Sequence, residues 1–176
     1  MNTQKDLVSL VKAFQDVANR HAVERVMAMF ADDAEFEMVG LFTLVGKQQI
    51  RAIFEYDAGV NTELQFINCT SEGNTVTCQL VERNDRLEAT GISKLHHTSC
   101  VLTFKDRLIK KFTATLPAES TQTIGEMWQA FLPWIAKNYP ADYSRMFTPE
   151  GRFIYNRENG ERVVPLLKEW RASQGK

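Results

Sequence analysis

The sequence predicts an α+β fold: three helices, then a mostly antiparallel sheet, then further helices. Three observations carry that expectation. Apolar residues recur at helical spacing as far as Phe54, long alternating runs follow Gly59, and the helical period returns after Pro117. A chain of 176 residues, 44% hydrophobic and 24% charged, suits a single domain with a sizeable core.

Leu7, Leu10, Val11, Phe14, Val17 and Ala18 form the apolar stripe of a first helix, with Thr3 and Asp6 resembling a capping pair ahead of it. Val23, Val26, Met27 and Phe30 repeat the period, which predicts a short second helix ending near the acidic pair Asp32-Asp33. Ala34 to Val39 reads as a strand and Leu41 to Val45 as its return. Gly46 breaks the pattern before a third helix that carries Ile50, Ile53 and Phe54 on one side.

Beyond Gly59 the character turns to β. Leu64 to Thr70 and Val76 to Arg83 flank Gly73-Asn74, a pair suited to a tight turn that needs positive φ. Leu95 to Phe104 and Leu108 to Leu116 repeat the arrangement through Lys105-Asp106-Arg107. A two-residue loop at Gly73-Asn74 sets Cys69 opposite Cys78, Ile67 opposite Leu80 and Ser71 opposite Val76. Ile67, Cys69, Val76, Cys78 and Leu80 then share an apolar face, which predicts core or a subunit interface. Asn68, Thr70, Thr77, Gln79, Arg83 and Asp85 share the other with Phe66 and Val81, and so mixed a face predicts solvent or a wet cavity.

After Pro117, the residues Met127, Trp128, Phe131, Trp134 and Ile135 mark a helix that Pro133 should kink or end. Thr148 to Gly151 and Asn156 to Gly160 are turn-rich. Val163 to Trp170 reads as a final helix with Pro165 in its first turn.

Bulk composition narrows the functional classes. The 21 basic and 22 acidic residues are interspersed and sum to a net charge of -1, so no strong field draws nucleic acid or anionic lipid. No apolar run approaches the roughly 18 residues that span a bilayer. With a polar N-terminus, the expectation is a soluble cytoplasmic protein. Three cysteines without a CxxC indicate neither a disulfide framework nor a zinc site, so reduced thiols are expected.

Two helices, the phrase Phe30-Ala31-Asp32-Asp33-Ala34, a strand, a glycine-led third helix and four long strands together resemble the cone-shaped nuclear-transport-factor-2-like superfamily. Its members include ketosteroid isomerases, limonene epoxide hydrolases and SnoaL-like polyketide cyclases. The resemblance covers about Leu7 to Leu116. It implies helices wrapped by a curved sheet around a deep pocket, with residues 1–116 as the domain and residues 117–176 as a helical extension packed on it.

The same resemblance assigns candidate residues. Ketosteroid isomerases place a tyrosine, a base aspartate and a protonated aspartate where this chain has Phe14, Met38 and approximately Cys100, so steroid-type enolisation is not expected. The epoxide hydrolases use an Arg-x-Asp on the third strand, and Arg83 with Asp85 supplies one here; Phe36, Met38 and Thr113 stand near the family's tyrosine, asparagine and second aspartate. Asp85 is therefore the expected base and Arg83 its orienter and electrophile. His96 follows as a second proton-transfer group, because strand alternation turns it inward whenever Cys100 points inward.

Phe14, Phe36, Met38, Cys100, Thr113 and Trp128 are the expected ligand contacts, with Trp128, Phe131 and Trp134 forming a lid or a dimer surface. The resulting expectation is a small, largely apolar ligand in a conical pocket, with hydrolase, isomerase or cyclase chemistry that requires no metal or organic cofactor. The alternative is a non-catalytic ligand-binding or homodimeric interaction protein. Neither nucleic acid nor membrane is an expected partner.

Overall fold

The computed structural model of the chain describes residues 3–175, with side chains from Asp6 onward, so the side-chain contact of Thr3 in the expected capping pair lies outside what is described. Helix α1 (Thr3–Asn19) turns Leu7, Val11, Phe14 and Ala18 inward, and α2 (Val23–Ala28) adds Val26 and Met27. Strand β1 (Phe30–Met38) follows at once and takes in Asp32 and Asp33, which therefore lie on a strand and not at the helix end expected near them. Their charges point outward. Asp32 pairs with Lys47 at 2.9 Å and Asp33 with Lys110 at 2.5 Å, exposed bridges worth about 0 to 1 kcal/mol each.

Strand β2 (Phe42–Val45) returns along β1, and helix α3 (Lys47–Gly59) starts at Gly46, whose φ of +83° suits glycine. Strands β3 (Glu63–Glu72) and β4 (Thr75–Arg83) form the first long hairpin. A short helix α4 (Asp85–Ala89) leads to the second, β5 (Leu95–Lys105) and β6 (Leu108–Thr115). All six strands make one sheet, ordered β2-β1-β6-β5-β4-β3, antiparallel except where β1 meets β6. The sheet curves around the helices, helped by a register shift in four of its five pairings.

Two of those shifts decide which side chains face inward. Ser71 pairs with Val76 as expected, but Asn68 takes a φ of +54° and bulges out of β3, so Ile67 meets Gln79 and Phe66 meets Leu80. Phe66 thereby joins the core instead of the mixed face. Cys69 and Cys78, 4.2 Å apart at Cα, are joined by a disulfide beside this bulge, which corrects the expectation of reduced thiols. On β5, Cys78 faces Cys100 while Leu80 faces His97, leaving one extra residue at Thr98-Ser99. The inward set on β5 therefore changes from Leu95 and His97 before the bulge to Cys100, Leu102 and Phe104 after it.

Phe14 is the hub of the main core. Its ring lies 5.8 to 6.2 Å from those of Phe30, Phe54, Phe66 and Phe112, and no part of it is exposed. A second core joins the C-terminal helices α5 (Ala118–Asn138), α6 (Pro140–Met146) and α7 (Arg157–Ser173) to α3 and α4 through Tyr56, Val60 and Ala89. Helix α5 continues through Pro133 to Asn138. Helix α7 begins at Arg157, capped by the Asn156 side-chain Oδ1, which accepts from the Asn159 N–H at 2.7 Å, and so holds Pro165 in its interior. Pro165 and Glu161, whose carbonyl it leaves without an N–H, are both exposed, so water can serve that oxygen.

Glycine sets the closest approach of α3 and α7. A Cβ on Gly160 would stand 2.8 Å from the Tyr56 carbonyl oxygen, and one on Gly59 would collide with the Arg157 carbonyl. That contact fixes the C-terminal layer over Tyr56.

Candidate functional site

Between the sheet, α3 and the C-terminal layer lies a cavity of about 170 Å³. Its walls are mostly apolar. Phe36 and Met38 on β1, Phe54 on α3, Leu80 on β4 and Phe112 with Ala114 on β6 line one side, while Ile124, Trp128, Phe153 and Tyr155 roof it from beyond Pro117. Polar side chains gather at one end: Asp57, Thr62, Glu82, Arg86 and His97.

Each reaches the cavity for a local reason. Val76, Cys78 and Leu80 face the core at every second position of β4, so Glu82 takes the next inward place. The bulge on β5 does the same for His97. Asp57 follows Ile53 and Phe54 at helical spacing and so lies on the inner side of α3. Arg86 comes from α4, whose N-cap Asn84 accepts from the Leu87 N–H at 2.8 Å.

Asn84 has a second task. Its Nδ2 donates to Glu82 Oε1 at 2.8 Å, and Glu82 Oε2 meets His97 Nε2 at 3.1 Å, so both carboxyl oxygens are engaged and the imidazole is held from behind. His97 is 4% exposed, and its Nδ1 is buried without a hydrogen-bond partner among the described residues. Burial alone would raise the Glu82 carboxyl, but the hydrogen bond and charge of His97, the field of Arg86 and the Asn84 amide outweigh it and hold Glu82 below its ordinary value. Asp57 goes the other way: burial, with Glu82 nearby, pushes it up from 3.8 to about 7, against the opposing Thr62 hydrogen bond and Arg86. Thr62 Oγ1 donates to Asp57 Oδ1 at 2.9 Å.

Two carboxyl groups in one cavity are thus driven apart, one kept ionised and one poised near neutrality. Such a divergence is the usual basis of acid and base roles. Burial also raises the Tyr56 and Tyr155 hydroxyls, so both remain neutral donors.

The expected trio does not converge here. Arg83 is exposed on the outer face of β4, and Asp85 begins α4 with its carboxylate taken by Asn61 Nδ2 at 2.6 Å; both border a shallow surface groove. Alternation could not carry Asp85 alongside Arg83, because the strand ends at Arg83 and Asn84 already caps α4. His96 is exposed, since the Thr98-Ser99 bulge reverses the parity counted back from Cys100. Of the expected ligand contacts, Phe36, Met38 and Trp128 line the cavity. Phe14 and Cys100 are enclosed in the core, Thr113 points away between Phe112 and Ala114, and burial pushes the Cys100 thiol well above its ordinary range, leaving it inert. Phe131 packs within the second core and Trp134 stacks on it at 6.0 Å.

Glu82, His97, Asp57 and Arg86 were not singled out by motif. The signal present for them is an acid in an apolar register: Glu82 extends the Val76, Cys78, Leu80 series and Asp57 the Ile53, Phe54 face. Among the described residues, no group of three His, Cys, Asp or Glu side chains is arranged to hold a metal ion, and no helix is long and apolar enough to cross a membrane.

Comparison with known proteins places this architecture. Residues 11–112 match the family described as SnoaL-like domain. Solved structures with a similar fold include an epoxide hydrolase of the LEH-like type from M. tuberculosis (16% identity over 69% of this chain and 90% of that one, TM-score 0.58). The epoxide hydrolase/cyclase-like enzyme SalBIII, of pyran ring formation in polyether salinomycin, is similar at 16% identity over 65% and 93%, TM-score 0.60. A nuclear-transport-factor-2-like protein of unknown function from Cytophaga hutchinsonii ATCC 33406 is similar at 13% identity over 69% and 99%, TM-score 0.55. No curated protein matches the sequence.

Proposed function

The chain belongs to the SnoaL-like domain family, and from that premise we propose that its cavity binds a small, largely apolar ligand and moves a proton on it. His97 is the base. Glu82 orients the ring and stabilises the charge it gains, and Asp57 delivers or receives the second proton. Arg86 draws electron density from a ligand oxygen. Hydrolysis and isomerisation both use this set.

The observation that carries the proposal is the buried, unpartnered Nδ1 of His97, backed through Nε2 by an ionised Glu82 that Asn84 fixes in place. An imidazole held in this way has one free nitrogen for chemistry, and the cost of leaving that nitrogen unpaired, about 1 to 3 kcal/mol, is recovered when a ligand meets it. Two structures of similar fold, an LEH-like epoxide hydrolase and an epoxide hydrolase/cyclase-like enzyme, support acid-base chemistry in such a cavity.

The test is a panel of monocyclic ketones, read by deuterium exchange at the α carbon, and monocyclic epoxides, read by diol formation. The wild-type protein should act on at least one class, and Glu82→Gln should lose that activity with the circular dichroism spectrum unchanged. No turnover across both classes would contradict the proposal.

A further inference from the structure

One cation in the cavity has no direct contact partner. Arg86 lines the cavity, yet its guanidinium makes no ion pair and no hydrogen bond among the described residues, and its Nε is buried without a partner. Both neighbouring carboxyls are committed elsewhere. Glu82 spends one oxygen on Asn84 and the other on His97, while Asp57 Oδ1 takes the Thr62 hydroxyl. Arg86 is half-buried with its Nε fully enclosed, and a guanidinium so placed without a direct carboxylate partner favours a ligand that completes its set of donors. Burial works against its charge, and the fields of the Glu82 and Asp57 carboxyls help to sustain it.

We propose that the ligand of this cavity is a small monocyclic or similarly compact carboxylic acid, whose carboxylate docks on Arg86 while its apolar body fills the space under Trp128 and Phe153. The inference rests on the reading above that the cavity binds a small apolar ligand. A planar carboxylate meets a guanidinium through two parallel N–H···O bonds, which a ketone, ether or alcohol oxygen cannot do. The volume bounds the rest of the molecule: about 170 Å³ is little more than the ~150 Å³ cavity known to hold benzene, so one ring with a short head group fits and a polycyclic body does not.

Benzoate and its neutral isostere benzamide test this on the full chain by isothermal calorimetry, with the Trp128 indole N–H resonance reporting that binding is in the cavity. Benzoate should bind at least 10-fold tighter than benzamide. Arg86→Met should weaken benzoate at least 10-fold and leave benzamide within about 3-fold, while Arg86→Lys should restore part of the difference. Equal binding of the two probes to the wild-type protein overturns the carboxylate inference while leaving the cavity reading intact, and needs no variant to fold. Benzoate affinity indifferent to Arg86→Met also overturns it. Failure of both probes to bind overturns the inference and the cavity reading together.

Discussion

Replacing Asp57 by Asn separates the electrostatic account of the cavity from a merely steric one. Asn keeps the size of the side chain and the carbonyl oxygen that accepts from Thr62, but it cannot ionise. In the folded chain the Asp57 carboxyl is raised from 3.8 to about 7. At about 1.4 kcal/mol per pH unit, that distance corresponds to about 4 kcal/mol, which relaxation and water reduce to about 2 to 4. Below pH 4 both the folded and unfolded forms hold the proton, so the substitution has little effect. Between pH 4 and 7 the unfolded chain releases the proton while the folded chain retains it, and wild-type stability falls as pH rises. Above 7 both forms are ionised and the loss is constant. Urea unfolding at pH 4, 6 and 8 should therefore show Asp57→Asn gaining on the wild-type protein by about 2 to 4 kcal/mol by pH 8. Parallel curves for the two proteins across that range would refute a buried, raised carboxyl.

Other perturbations reach the cavity through its supports. Gly160→Ala places a methyl group 2.8 Å from the Tyr56 carbonyl and must push α7 from α3, at a cost of about 1 to 3 kcal/mol visible as a lower melting temperature. Asn84→Ala removes the cap of α4 and one bond to Glu82 at once; a loss of about 1 to 2 kcal/mol in urea unfolding is expected. Asp85→Asn, beside the exposed groove, should change stability by no more than about 0.5 kcal/mol and leave any turnover unaltered.

Periodicity made much of this fold legible. The helices through Phe54, both long hairpins and the return of helix after Pro117 follow from 3.6-residue and alternating patterns set by burial, and the structure has them. What escaped was parity. A strand carries side-chain direction faithfully only until a bulge, and the bulges at Asn68 and Thr98-Ser99 each shift the count by one. That single step separates His96 from His97 and moves Phe66 from the outer face to the core. Asn84 follows the last residue of β4 and caps α4, which separates Asp85 from Arg83 although the two look like one strand motif. Asp57 and Arg86 escaped for another reason. They come from α3 and α4 and line one cavity, and no local spacing links them to Glu82 or to each other.

The central claim is that the working imidazole is His97 inside the cavity and not its neighbour outside. Turnover by His97→Gln and His96→Gln should be measured side by side with whichever ketone or epoxide the wild-type protein accepts, after confirming that both variants melt cooperatively. His97→Gln is predicted to lose about 100- to 10,000-fold in kcat/KM, the range of a lost general base, while His96→Gln stays within about 2-fold. Equal losses, or a greater loss at His96, would contradict the account.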